Sequence, residues 1–177
     1  MPLTPGLLSK YPNPVFIETG SFVGDGIQAA LDAGFEHVYS IELSEKFYDR
    51  CVKRFAHDAR VVLYRGDSTE VLPRLLASIN PNAPITFWLD GHYSEGETAR
   101  GAKECPLLEE LESIFAARDH TDTILIDDMR CWSVEHHGFN ASTLANILDA
   151  NGYHVSFVDG QLPDGTVLPD DILVAVP

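Results

Sequence analysis

The stretch VFIETGSFVGDG, residues 15–26, runs from an apolar segment through an acid into three glycines. Val15 to Ile17 reads as a buried strand, Glu18 closes it, and Gly20, Gly24 and Gly26 follow. A helical pattern then begins at Ile27-Gln28-Ala29-Ala30-Leu31. A strand that opens through glycines into a helix is the start of a βαβ unit, in which a ligand or another backbone comes close to the turn.

The same rhythm repeats outward from this stretch. Strands are expected at His37–Ile41, Arg60–Tyr64, Ile85–Leu89 and Thr123–Ile126. Helices are expected at Ser44–Phe55, with Ser44 as N-cap, and around Thr69–Ile79, with Pro73 in the first turn. Further helices are expected at Pro106–Ala117, with Leu107, Leu108, Leu111, Ile114 and Phe115 on one stripe, and at Ala141–Ala150, ended by Gly152. His154–Val158 and Ile172–Val176 then follow with no helix between them, so they form a hairpin joined by GQLPDGTVLPD, and the last strand runs antiparallel. Five strand–helix units and a hairpin predict an α/β fold with seven strands, mostly parallel and covered on both faces. Residues 1–14 read as an arm and 15–177 as one domain.

The composition bounds the function. The 177 residues are 45% hydrophobic and 22% charged, the balance of a globular protein, and suffice for a substantial core. Twelve Lys and Arg stand against 27 Asp and Glu, a net charge of -15, which disfavours nucleic acid and anionic membrane surfaces as partners. Cys51, Cys105 and Cys131 form no CxxC pair, which suits a reducing compartment, and Cys105 and Cys131 read as packing residues. With no signal-peptide pattern in MPLTPGLLSKYPNP and no apolar run of membrane-spanning length, a cytoplasmic protein is expected. The N-terminal arm is placed to pack across a homodimer.

In an open parallel sheet, ligands bind beyond the carboxyl ends of the strands. Each of the five parallel strands ends in an acid: Glu18, Glu42, Asp67, Asp90, and the pair Asp127-Asp128. Any one of them has a plain reading as a cap or turn residue. Five at one edge call for a cation, or for a ligand rich in hydroxyl and amine donors. The glycine spacing is GxxxGxG, not the GxGxxG of dinucleotide sites, and an acid beside the loop repels a diphosphate. Glu42, 22 positions after Gly20, stands where an acid grips ribose hydroxyls.

This combination resembles the class I S-adenosylmethionine-dependent methyltransferases, over about residues 15–176. The resemblance implies a Rossmann-like three-layer α/β/α sandwich and S-adenosyl-L-methionine as cofactor. It implies that Glu18, Gly20, Ser21 and Gly24 line the methionine part, in the loop Gly20-Ser21-Phe22-Val23-Gly24, and that Glu42 binds the ribose. Asp67 with Ser68 would face the adenine amine, and Asp90 would lie near the methionine ammonium and the substrate. The loop departs from the family's commoner GxGxG. LDGHYS (89–94) and LIDDM (125–129) further resemble macrocin-type O-methyltransferases of small molecules and sugars, some of which bind a divalent metal at these segments. Asp90, Asp127 and Asp128 come from neighbouring strand ends, and hard oxygen ligands suit Mg²⁺. Such an ion would lower the pKa of an acceptor hydroxyl. His92 reads either as the general base or as a turn residue bonded to Asp128. Trp132 and Phe139 are placed to wall a substrate pocket, and the polar segment Ser94–Lys103 is either a lid or a solvated connection.

Other readings stay open on the residues alone. A metal-dependent hydrolase accounts for Asp90, His92, Asp127 and Asp128 but not for Glu18, the glycine loop or Glu42. A nicotinamide-dependent oxidoreductase is opposed by the glycine spacing. A cofactor-binding module without activity fits a short chain with no evident substrate-binding insertion.

Overall fold

The computed structural model describes residues 3–91, 105–119, 121–162 and 164–177. The first strand, β1 (Val15–Thr19), is buried along its whole length, as an apolar run covered on both faces requires. It is flanked by β2 (His37–Glu42) and β4 (Ile85–Leu89), both parallel to it. β3 (Val61–Arg65) pairs parallel with β2, and β5 (Thr123–Ile126) parallel with β4. β7 (Val167–Val176) runs antiparallel between β5 and β6 (His154–Gln161), which gives the order β3-β2-β1-β4-β5-β7-β6. This is the seven-stranded, mostly parallel sheet that the sequence predicts.

Helices cover both faces. On one lie α1 (Pro5–Leu8), α2 (Asp25–Ala33) and α3 (Glu45–Arg54), packing Leu8, Ile27, Ala30 and Cys51 against Phe16, Val38, Trp88 and Leu125. On the other lie α4 (Ser68–Ser78), α5 (Leu107–Ala117) and α7 (Ala141–Ala150), packing Leu72, Leu111, Ile114 and Leu144 against Ile17, Phe87, Ile124 and Leu173. A short α6 (Val134–His137) lies between β5 and α7. None of the helices among the described residues is long and apolar enough to cross a membrane.

Two local expectations change. Pro73 lies in the second turn of α4, not its first, because Asp67 accepts the Thr69 amide at 3.0 Å and starts the helix at Ser68. The hairpin strands extend well beyond Val158 and Ile172: Gly160 pairs with Leu168 and Gln161 with Val167, across an irregularity between Val158 and Gly160. A bulge of this kind interrupts the alternation of side chains, so the strand continues through residues that read as a loop.

Candidate functional site

The strand order reverses direction at β1, whose two neighbours lead to opposite halves of the sheet. The crevice beyond the ends of β1 and β4 is therefore the expected ligand site of such a sheet. The glycine loop that borders it is shaped first by the protein's own packing. Gly20 has φ +87°, and a Cβ there would lie 2.4 Å from the Asp90 carbonyl oxygen. Gly24 has φ +85°, and a Cβ there would lie 2.6 Å from the Phe55 ring. So Gly20 lets β4 close on β1, and Gly24 lets α3 close on the loop.

The rest of the loop is tied from behind. The Phe22 amide donates to Glu42 Oε2 at 2.8 Å, and Arg54 donates to the Val23 carbonyl and to Asp25. Ser21 is fully buried with its hydroxyl on Ser40, and Ser40 donates to Glu18 Oε1 at 2.7 Å. Ser21 thus serves a polar chain beneath the loop. Phe22 holds φ +47°, a conformation costly for a bulky residue, and leaves its ring half exposed against Phe47.

The strand-end acids differ in what surrounds them. Glu18 is only 1% exposed, and burial pushes its carboxyl up to about 8. Glu42 accepts the Ser44 amide at 2.7 Å as well as that of Phe22; burial still raises its pKa. Ser44 therefore stands at the N-cap of α3 with its amide, not its hydroxyl, engaged. Asp67 caps α4 and also accepts the Thr69 hydroxyl at 2.7 Å.

Asp90, Asp127 and Asp128 offer carboxylate oxygens within 4.8 Å of one another. Burial, and then the charge of Asp128, pushes Asp127 up to about 8. Burial and the charges of Asp127 and Asp128 hold Asp90 well above the ordinary carboxylate range. Asp128 sits at φ +60°, its amide donates to Asp127 Oδ1 at 2.8 Å, and Arg130 pairs with it at 2.6 Å. Arg130 also holds Asp171 on β7. Three acids so close repel one another unless they bind protons or a cation, and their hard oxygens fit a divalent ion such as Mg²⁺.

Several expectations resolve differently. Trp132 and Phe139 are 6% and 3% exposed and belong to the core, with Trp132 Nε1 donating to the Asp127 carbonyl at 3.1 Å, so they do not wall a pocket. Cys51 is buried and Cys105 half buried, but Cys131 is exposed and does not pack. His92 and the segment Ser94–Lys103 lie outside the described residues. One acid was not read from the sequence at all. Glu110 on α5 is 1% exposed, directly below Thr19 and Gly91. Its signal is positional: it falls three residues after Leu107 and four before Ile114, on the stripe that α5 buries.

No protein-family model matches the chain, and no curated protein matches it by sequence. Solved structures do match by shape. An O-methyltransferase from Bacillus cereus in complex with SAH superposes with a TM-score of 0.71 at 12% identity, covering 98% of this chain and 78% of that one. An SAH-bound methyltransferase from Podospora anserina gives 0.65 at 13%, covering 97% and 75%. A spermidine synthase from Thermotoga maritima gives 0.66 at 12%, covering 98% and 57%. At these identities the likeness is one of fold: the Rossmann-like methyltransferase fold, on which more than one named activity is built.

Proposed function

We propose that the chain is an S-adenosylmethionine-dependent methyltransferase acting on a hydroxyl of a small molecule or sugar, assisted by a divalent metal, in a reducing, cytoplasmic setting. The observation that carries this reading is the set of buried acids around the β1–β4 crevice of a methyltransferase fold. A dinucleotide or phosphorylated ligand would be repelled there, whereas an ammonium and a ribose diol are attracted.

The cofactor supplies an electrophilic methyl group on a sulfonium. Glu42, fixed by two backbone amides, keeps lone pairs for ribose hydroxyls. Glu18 and Asp90 supply the negative field for the ammonium. Asp90, Asp127 and Asp128 would hold Mg²⁺, whose charge favours the ionised form of an acceptor hydroxyl. His92 takes the acceptor's proton. The protein's contribution is position and electrostatics, and no covalent enzyme intermediate is required.

The test is transfer of a labelled methyl group to a panel of hydroxylated small molecules, with and without a chelator, in wild type and His92→Ala. Label in an ether product, reduced by chelation and by the substitution, supports the reading. Chelator-sensitive hydrolysis of esters without methyl transfer would favour a metal-dependent hydrolase instead.

A further inference from the structure

Glu110 occupies a position where packing alone calls for an apolar side chain. Its neighbours on the inward stripe of α5 are Leu107, Leu111 and Ile114, all buried. A carboxyl there costs stability unless its oxygens are engaged. They are engaged, but only in part, and only by groups that border the crevice. Oε2 accepts the Thr19 hydroxyl at 3.4 Å, at the end of β1. The Ser68 hydroxyl, at the start of α4, faces the same carboxyl and lowers its pKa against the effect of burial. Oε1 lies against Gly91, just after β4, where a Cβ would come within 3.0 Å of it. That oxygen is buried and has no partner among the described residues.

One side chain from below therefore touches three elements at the points where they leave the sheet: β1, β4 and α4. These elements border the β1–β4 crevice. Thr19 and Glu18 are consecutive, so they point to opposite faces of the sheet. Glu18 supports the crevice from the α2 side, through Ser40 and Ser21. Glu110 supports it from the α5 side.

We propose that Glu110 is a cofactor-positioning residue, which holds Thr19, Ser68 and Gly91 in the spacing that an S-adenosyl ligand requires in the β1–β4 crevice. The inference rests on the methyltransferase reading above. It explains why an acid is kept on an apolar stripe: the position serves ligand geometry at the expense of stability. Small displacements of the groups that line a ligand cost large factors in affinity, so a brace beneath the elements that border the crevice is felt at the ligand without touching it.

The stability and binding effects of Glu110→Leu separate this role from a merely structural one. The substitution completes the apolar stripe, so the melting temperature at pH 8 should rise by about a few degrees. Affinity for S-adenosylhomocysteine, titrated by calorimetry, should nevertheless fall by about tenfold or more. Glu110→Gln, which keeps an acceptor for Thr19 and Ser68, should restore affinity to within about threefold of wild type. Thr19→Val, which removes only the hydroxyl facing Glu110, should weaken binding by about three- to tenfold, and decides the matter should Glu110→Leu fail to fold. Wild-type affinity in folded Glu110→Leu, or in Thr19→Val, overturns the positioning role and leaves the cofactor reading standing. No affinity in wild type removes the cofactor reading, and this inference with it.

Discussion

The two ends of the same sheet bury charge in opposite ways. At the amino-terminal edge, Arg118 and Asp122 are almost wholly enclosed, 1% and 0% exposed at their side chains. Their two groups meet through paired bonds of 2.8 and 3.0 Å. Arg118 also donates to the Ala83 and Asn80 carbonyls, and Asp122 accepts the Ile85 amide at 2.8 Å. At the carboxyl-terminal edge, Glu18, Glu110 and Asp127 are equally enclosed, but their partners are hydroxyls and amides. Among the described residues, the guanidinium of Arg130 reaches the rim at Asp128 and Asp171. A charge matched inside the protein ties loops together, as Arg118 ties the end of α5 to the starts of β4 and β5. Acids with no cation beside them among the described residues hold protons or take a cation from outside.

Breaking the matched pair should have the largest effect. Arg118→Met leaves the Asp122 carboxylate buried without its counter-charge, and should cost about 3–5 kcal/mol in urea unfolding. A loss below about 1 kcal/mol would show that the two edges do not differ as described.

The pH dependence of stability sharpens the comparison at the other edge. The pKa of Glu110 is about 7 in the fold against an ordinary 4.5, and that of Glu18 is about 8. Each therefore keeps a proton in the fold that it gives up in the unfolded chain. Their contribution is complete below about pH 4.5, declines as pH rises, and is lost once pH passes the folded value of 7 or 8. For Glu110 the loss amounts to about 3 kcal/mol, at about 1.4 kcal/mol per pH unit between the two values. Urea unfolding from pH 5.5 to 9 should show this fall, and Glu110→Gln should flatten part of it. A profile rising over that range would mean that these acids are already ionised and compensated.

The smallest effect belongs to the acid with the plainest role. Asp67→Ala removes the cap on Thr69 and should cost about 1 kcal/mol in thermal or urea unfolding. A loss several times larger would place Asp67 among the acids on which the crevice depends.

The sheet and its acidic edge were legible because a single period carries both. Strands such as Ile85–Leu89 are near-continuous apolar runs, and the residue after each run falls on the same edge by construction. Glu110 escaped because a stripe is read by its apolar members, and an acid among them looks like solvent-facing polarity. The Arg118–Asp122 pair escaped too, since its meaning lies in carbonyls at Asn80 and Ala83, over thirty residues away in sequence. The roles of Gly20 and Gly24 were only half visible. The need for glycine is evident in the sequence, but Asp90 and Phe55, the neighbours that impose it, are brought there by the fold.

The most direct test of the acidic crevice as a seat for a ligand bearing an ammonium group is a calorimetric titration with S-adenosylhomocysteine at pH 7.5. It should be run in two buffers of different ionisation enthalpy. A single saturable site is predicted, with protons released on binding, because the ligand's ammonium takes the place of protons held by the buried acids. No saturable heat, or binding with no proton exchange, would contradict it.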